Sequence, residues 1–390
     1  MNIASWESIS GSYQLRPGEL RSVVGHRPIL GPDRLARLLR GQTREQAKRT
    51  LTSVFTLCAH AHRGTADLAM AAAAARSSPS PATDPAVMLL LETARDHLRS
   101  IALDWPQRLP EHLPGADALD WLRDCPLSLV ARTAHTDAAS AWALLAQLRA
   151  WLETRVLHEP VSHWLQAHGD PDVLARWCSA QAPRLLPARC LAQWQPLAHG
   201  LTPTLRSLDL LAADPARQNA QLRELARQWL QESGFAQHPT WMGECAETGP
   251  WTRLRDRGAL VQHSAWTRLS ARWRELLAIA AAEPGPNEQE RAPLLSRGAL
   301  PLGEGQALGW CEMARGLLLH WVQLDAKGAV QDYRVLAPTE WNFHPEGALA
   351  RAVSALPEGA TPQAHTLAAA FDPCVACTVR STAAGTSEGT

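Results

Sequence analysis

Two cysteines near the C-terminus have a spacing that suits metal or redox chemistry. Cys374 and Cys377 form a CxxC motif directly after the pair Asp372-Pro373. Two thiolates at this spacing can reach one metal ion, and a residue before proline favours an extended or turn conformation that can present both sulfurs. By itself the motif is compatible with half of a zinc site, with a redox pair, or with two buried cysteines. No Cys or His follows it, so a metal site needs a partner from elsewhere in the chain.

The best candidate for that partner is Cys58. His62 follows it four residues later, one helical turn away and on the same face of a helix. Taken alone, a Cys and a His at this spacing are typical of core packing. His60 has no comparable support and is interpreted as a packing or surface residue.

Helical patterns dominate the first two thirds of the chain and must position Cys58. The tryptophans within these patterns are interpreted as core residues at helix–helix contacts. The Ala-rich stretch predicts close packing against other helices. The predicted helices span 34–39, 66–76, 85–101, 138–157, 219–230 and 264–282.

The pattern changes after the Pro-Gly-Pro-Asn linker at 284–287. Beyond it, two strands at 317–322 and 329–336, joined by a turn, predict a β-hairpin. We predict one domain over residues 1–390. It divides into a mostly helical part, 1–285, which holds Cys58, a C-terminal part, 286–380, which holds the hairpin and the CxxC motif, and a disordered tail, 381–390.

Composition excludes several classes of protein. The 390 residues include 38 basic and 38 acidic side chains, and this balance argues against a general nucleic-acid binder. Hydrophobic residues make up 46%, which is enough for a buried core. No apolar run is long enough to span a membrane, and the first twenty residues do not resemble a signal peptide. We therefore expect a cytoplasmic protein without membrane or nucleic-acid partners.

Four short segments together resemble the large subunit of nickel–iron hydrogenases. They read ETGP at 247–250, EMARG at 312–316, LAPTEWN at 336–342 and FDPCVAC at 371–377, in the order and spacing of that family. The N-terminal half agrees only around Cys58. The resemblance implies a mainly α (α+β) fold, a hydrogenase large-subunit-like helical bundle with a small β element near the C-terminus. Its closure would bring Cys58 beside the CxxC motif.

The same resemblance implies a metal site that lacks one ligand. In that family four cysteines hold a nickel–iron centre, and the second cysteine of each pair bridges both metals. Cys58 and Cys377 match the bridging cysteines, and Cys374 matches one that binds nickel only. Phe55 stands at the position of the fourth cysteine and cannot ligate a metal. His62 matches a family histidine, and its implied role is a hydrogen bond to a cysteine sulfur.

The remaining implied site residues surround the iron, which in this family carries cyanide and carbon monoxide. Arg315 and the Thr339 hydroxyl are the implied hydrogen-bond donors to the cyanides, and Pro338 and Leu318 the implied apolar wall. A guanidinium suits an anionic diatomic ligand because it is always charged and offers several donors. The implied cofactor is this iron unit, bound transiently, without nickel.

Two carboxylates have matches in the family but two open interpretations. Glu312 and Asp372 are either site residues or salt-bridge partners, for example of Arg315 or Arg253. The segment 247–253 is interpreted as structural support in the core.

A short hydrogenase-like chain that lacks one nickel cysteine resembles the HupK/HoxV family of maturation proteins. Arg380 adds to this resemblance, because catalytic large subunits usually carry at that position a histidine used by a maturation protease. The implied function is a non-catalytic scaffold, or chaperone, that holds the Fe(CN)2(CO) unit before its transfer. The implied partners are the apo hydrogenase large subunit and the maturation factors that build the iron unit.

Two alternatives stay open. The first is a diverged hydrogenase large-subunit homologue with its own nickel-containing redox site, in which His60 or His62 serves as a fourth ligand. The second is a relative that has lost the metal and acts only in protein assembly.

Overall fold

A computed structural model of the chain describes residues 11–31, 34–74, 85–109, 117–129, 137–204, 206–211, 214–256, 263–284 and 294–380. Helices dominate this part, so the predicted mainly α class is confirmed. None of these helices combines the length and apolarity needed to cross a bilayer. The α-helices are Arg34–Leu39, Arg44–Val54, Ala59–Ala73, Pro85–Arg99, Trp105–Arg108, Ala138–Trp151, Val161–Ala167, Pro171–Gln181, Leu186–Ala198, Pro215–Gln231, Pro250–Asp256, Ala265–Ala280, Pro338–Asn342, Ala348–Ser354 and Thr361–Phe371.

Shorter helical turns and three groups of strands complete the described residues. The 3-10 turns are Pro28–Leu30, Asp117–Leu122 and Phe235–Gln237, and the π-helical turns are Ser100–Asp104 and Leu152–Leu157. The strands are β1 Ser12–Leu15, β2 Val23–His26, β3 Arg206–Ser207, β4 Ala246–Glu247, β5 Arg297–Gly303, β6 Gln306–Met313, β7 Gly316–Leu324, β8 Val330–Leu336 and β9 Ala376–Val379.

The helix Ala265–Ala280 forms the centre of the helical part. It begins at Ser264, whose hydroxyl accepts a hydrogen bond from the backbone N–H of Thr267 at 3.2 Å. It is buried on nearly every side, and helices from both halves of the chain pack around it. A helix in this position needs partners for its charged side chains. Arg268, for example, donates two hydrogen bonds of 2.9 Å to Glu247.

The C-terminal part contains an antiparallel sheet in the order β5-β6-β7-β8. The predicted hairpin is confirmed as β7 and β8, but β5 and β6 extend it to four strands. Successive residues of β7 pack into different apolar clusters on the two sheet faces, so its sequence reads as a continuous apolar run without alternation. The sequence did not predict β5 because Pro301 and flanking glycines interrupt its strand pattern.

The helix Ala59–Ala73 lies on one face of this sheet and on the helix Arg44–Val54. The predicted close packing therefore involves the sheet as well as a neighbouring helix. Gly309 permits the approach, because an added Cβ there would lie 2.7 Å from the carbonyl oxygen of Thr65. This contact fixes the helix whose first turn follows Cys58.

A second small sheet joins the two ends of the described chain. Its order is β2-β1-β9, with β2 antiparallel and β9 parallel to β1. The CxxC motif runs into β9, so it is held against the N-terminal strand. The predicted division at 285/286 and the predicted tail 381–390 lie outside the described residues and stay predictions.

Candidate functional site

Cys58 is buried at the start of the helix Ala59–Ala73. The carboxylate of Glu92, on a neighbouring helix, accepts hydrogen bonds from the backbone N–H groups of His60 at 2.7 Å and Ala61 at 2.8 Å. These are among the N–H groups that a helix cannot satisfy within its own first turn. Burial raises the pKa of Glu92 to about 8. Glu92 thus fixes the backbone that presents Cys58.

Cys374 reaches the same place from the other end of the chain. It is half-buried just before β9, and its Sγ lies 3.1 Å from the Oγ1 of Thr339. Burial, and next the charge of Cys374, raise the pKa of the Cys58 thiol well above its usual value. Cys58 and Cys374 are therefore within electrostatic range of each other, as the predicted closure of the chain requires.

Cys377 lies in a different environment. It pairs with Tyr13 across the parallel strands β1 and β9, and the side chain that acts on its thiol is Arg108. The prediction matched Cys58 and Cys377 to bridging cysteines and Cys374 to one that binds nickel only. In the structure Cys58 interacts electrostatically with Cys374, and Cys377 packs against the helical core. The metal-binding role of Cys377 stays a prediction. Within the described ranges, no three Cys, His, Asp or Glu side chains are grouped as a metal-ligand set.

Arg315 lies in the turn between β6 and β7, buried with only 3% of its surface exposed. Its Nη1 donates a hydrogen bond to Asp96 at 3.2 Å, and its Nε lies 3.3 Å from Asp372. Electrostatic interactions also join it to Cys374 and Cys58. The Arg315 guanidinium therefore interacts electrostatically with both thiols, and Asp372 forms a salt bridge with it, one of its two open interpretations.

The segment around Glu247 holds this turn in place, as predicted. The backbone N–H of Thr248 donates to Asn342 Oδ1 at 3.0 Å, and Asn342 Nδ2 donates back to the Thr248 carbonyl at 2.9 Å. The Thr248 hydroxyl accepts from the backbone of Leu317 at 3.0 Å. Arg253 donates to both oxygens of Glu275, at 2.8 and 2.7 Å. Three of the segments that carry the resemblance thus contact one another.

Phe55 and His62 form a stacked pair beside Cys58. Their ring centroids are 3.7 Å apart and their planes differ by 3°. The predicted hydrogen bond from His62 to a cysteine sulfur is not among the contacts of the described residues and stays a prediction. The Nδ1 of His62 lies 3.0 Å from Nε2 of His320, whose Nδ1 lies 2.6 Å from the Tyr333 hydroxyl. His320 belongs to β7 and Tyr333 to β8, so both partners are far from His62 in sequence, and the spacing of residues near His62 does not predict them.

The two predicted apolar residues are both buried. Leu318 lies in the same apolar cluster as Cys58 and Phe55. Pro338 is the first residue of the short helix that carries Thr339. Their role as an apolar wall beside the iron stays a prediction.

The sequence did not point to Arg27, Glu340 and Tyr13. The Tyr13 hydroxyl donates to Glu340 Oε2 at 2.9 Å, and Arg27 Nε lies 3.9 Å from Glu340 Oε1. Electrostatic interactions join Arg27 to Cys374 and Cys58 as well. Burial raises the pKa of Glu340 to about 7. Glu340 lies in the segment 336–342, but nothing in the sequence pairs it with Tyr13 or Arg27, because these contacts form only when the chain ends meet.

Comparisons with known proteins show the family of the chain. A family model described as nickel-dependent hydrogenase matches residues 262–380. The chain is 37% identical over 392 residues to the hydrogenase expression/formation protein HoxV of Cupriavidus necator, an alignment that covers 95% of this chain and 96% of that protein. It is 31% identical to HupK of Rhizobium leguminosarum bv. viciae, with 88% and 89% covered.

The chain belongs to the HoxV/HupK family of hydrogenase expression/formation proteins. A third relative, HupV of Azotobacter chroococcum mcd 1, is 30% identical and covers 94% of this chain and 96% of its own length. Among solved structures, an NAD+-reducing [NiFe]-hydrogenase in the H2-reduced state is similar at a TM-score of 0.47 and 15% identity, covering 90% of this chain and 92% of its own.

The site of this HoxV/HupK-family chain combines two thiols with two buried guanidinium groups. Thiolates are soft ligands that bind iron and other transition metals. Buried guanidinium groups favour anions, which they can approach with several donors at once. Cys58, Cys374, Arg27 and Arg315 are therefore suited to a metal complex that carries anionic ligands of its own.

Proposed function

We propose that this chain is an accessory protein of hydrogenase formation that holds the Fe(CN)2(CO) unit as cargo and passes it to the apo hydrogenase large subunit. The relatives HoxV, HupK and HupV are hydrogenase expression/formation proteins, which supports the general role. The specific cargo rests on the site. Its donors fit an iron complex with anionic ligands, as the contacts of Cys58 and Cys374 indicate.

The observation that carries the proposal is the convergence of Cys58, Cys374, Arg315 and Thr339. Two thiolates can bind the iron, while a guanidinium and a hydroxyl offer hydrogen bonds to cyanide nitrogens. Buried apolar surface at Leu318 and Pro338 suits carbon monoxide, which needs no hydrogen bond. Cys58, Cys374, Arg315 and Thr339 come from four different segments, and hydrogen-bond and electrostatic contacts join them, which supports a shared site.

The buried Phe55 ring at the position of the fourth cysteine favours a carrier of the iron unit over an enzyme that holds nickel. Its ring is buried and covers one face of His62, and Nδ1 of His62 is occupied by His320. His60 Nδ1 lies 3.1 Å from Arg63. One ring nitrogen of each histidine is thus engaged by another side chain, which disfavours the alternative of a diverged hydrogenase with a histidine as fourth nickel ligand.

Transfer of the cargo requires an accessible site and specific partners. Cys374 is half-buried, so a partner can approach the sulfur without unfolding the helical core. The partners that this function implies are the maturation factors that build the iron unit and the apo large subunit that receives it. We place the site in the cytoplasm, where thiols stay reduced, and all eight cysteines are free thiols.

The test is infrared spectroscopy with metal analysis on protein purified without oxygen from cells that have the maturation system but lack the recipient large subunit. We expect iron without nickel, together with cyanide and carbonyl stretching bands. Cys58→Ala and Cys374→Ala should abolish the bands. Cys178→Ala, which alters a thiol buried in the helical core, should keep them.

The outcome for Cys377→Ala identifies the second thiolate. If the infrared bands vanish in Cys377→Ala and persist in Cys374→Ala, Cys377 is the second iron ligand, as the resemblance implies. The assignment of Cys374 from its contacts is then wrong. Stoichiometric nickel with hydrogen uptake would support the redox alternative, and wild-type protein without iron bands would contradict the cargo.

A further inference from the structure

We propose that Arg27 is a second cargo-binding cation, which acts beside Arg315 on the anionic ligands of the iron unit. This inference rests on the proposed function and extends its binding site. Arg27 lies between β2 and the turn Pro28–Leu30, far in sequence from every segment that carries the resemblance.

The first observation is its position. Only 5% of the Arg27 surface is exposed. Its electrostatic partners are Cys374, Glu340, Cys58 and Tyr13. Both thiols of the site therefore act on this one guanidinium, as they act on Arg315.

The second observation is that its Nε donor is unused. The recorded ion pair is with Glu340, at 3.9 Å between Nε and Oε1, and neither atom has a hydrogen-bond partner in the described part of the chain. No hydrogen bond from its other nitrogens to a described residue is recorded either. A buried charged donor without hydrogen bonds costs free energy. An anion that binds between the thiols would supply the acceptors.

Other buried arginines of this chain show what a structural guanidinium looks like here. Arg253 donates to both oxygens of Glu275, and Arg268 donates to both oxygens of Glu247. Arg27 differs because its carboxylate partner already accepts from Tyr13 and lies beyond hydrogen-bond distance. Structural pairing therefore does not account for its place.

The third observation links Arg27 to Phe55. The guanidinium carbon lies 5.7 Å from the centroid of the Phe55 ring, within the range of a cation–π interaction. The ring that stands in place of a nickel ligand thus supports a positive charge. An iron(II) ion with two cyanides and two thiolates carries a double negative charge, and Arg27 and Arg315 together match it.

The experiment compares Arg27→Gln and Arg27→Lys with Arg21→Gln, an exposed arginine in the same segment. We expect Arg27→Gln to lower the iron and cyanide-band content per protein about tenfold or more, since a hydrogen bond to a charged group contributes that much. Arg27→Lys should retain part of the content, because it keeps the charge but not the planar donors. Arg21→Gln should match the wild type.

A second readout needs no cargo. On empty protein, the alkylation rate of Cys374 is measured with anionic iodoacetate and with neutral iodoacetamide. Loss of the Arg27 charge should lower the ratio of the two rates about tenfold. The double variant Arg27→Gln/Glu340→Gln removes both charges, so no unpaired carboxylate stays buried. It should therefore fold and still lose the iron unit.

The two proposals fail in different ways. Wild-type protein without iron bands overturns both. Bands in the wild type that persist in the double variant, with an unchanged alkylation ratio in Arg27→Gln, overturn the role of Arg27 alone. A loss of bands in a folded double variant, with a lowered ratio in Arg27→Gln, supports it.

Discussion

Phe55 occupies the position at which the resemblance to hydrogenase large subunits places a nickel-binding cysteine. Its ring fills space between the His62 ring and the Arg27 guanidinium, and only 3% of its surface is exposed. At the scale of residues, one side chain thus removes a thiolate, occupies a histidine face and supports a cation. The substitution changes the charge of the site as well as its ligand count.

Truncation of this ring tests its packing role. Phe55→Ala should lower the free energy of unfolding by about 3 kcal/mol, because a buried aromatic ring is lost and a cavity remains. Urea unfolding followed by circular dichroism measures the change. Leu57→Ala, at a side chain that is 38% exposed, should change the free energy by less than about 0.5 kcal/mol. Equal effects of the two substitutions would contradict the stacked arrangement.

At the scale of elements, the helix Ala59–Ala73 is held from both sides. Gly309 of β6 lets it approach the sheet, and Glu92 from the helix Pro85–Arg99 satisfies its first N–H groups. Burial raises the pKa of Glu92 to about 8, above its value of about 4.3 in an unfolded chain. Between these values the unfolded chain loses the proton and the folded chain keeps it, so stability falls as pH rises.

Glu92→Gln should therefore reduce the pH dependence of stability. The wild type should lose free energy of unfolding between pH 5 and pH 8, and the variant should lose less, because its amide does not titrate. At pH 5 the variant should be destabilised by about 1 kcal/mol, since the amide offers one acceptor where the carboxyl offers two. Urea unfolding at both pH values measures this. Glu304→Gln, at an exposed turn, should keep the wild-type pH dependence; the same dependence in Glu92→Gln would refute the assignment.

At the scale of the whole molecule, the site depends on the meeting of the two chain ends. β1 lies between β2 and β9, and Tyr13 in β1 is paired with Cys377 while its hydroxyl holds Glu340. The N-terminal strand therefore positions the CxxC motif.

Interruption of β1 should release that motif. Gln14→Pro removes a backbone donor from the middle strand of three and should lower the free energy of unfolding by about 3 kcal/mol. The reaction of Cys377 with a thiol reagent, followed by peptide mass spectrometry, should become about tenfold faster or more. Gln14→Ala changes the side chain and keeps the backbone donor, so the thiol should react as in the wild type. Slow labelling in Gln14→Pro would show that β9 holds its place without β1.

Local patterns predicted much of this fold. The helix 34–39 agrees with Arg34–Leu39, and the hairpin strands agree with β7 and β8, because apolar spacing and turn residues are properties of neighbouring positions. β5 was missed because proline and glycine obscure a strand that its neighbour nevertheless pairs. The proximity of Cys58 to the C-terminal motif was predicted from the resemblance to hydrogenase large subunits. Hydrophobic periodicity alone does not predict it.

The sequence by itself determined the chemical types at the site: three cysteines, a phenylalanine at the fourth position, and the Arg315 turn. Only the tertiary structure decided that Cys58 interacts electrostatically with Cys374 and that the His62 ring contacts His320. The same holds for the electrostatic interactions of Arg27 with the two thiols. The physical reason is that side-chain direction and pairing depend on contacts between elements hundreds of residues apart. Strand register places Cys377 against the helical core. Arg27 is buried, interacts electrostatically with Cys374 and Cys58, and has a Nε donor without a hydrogen-bond partner in the described part of the chain.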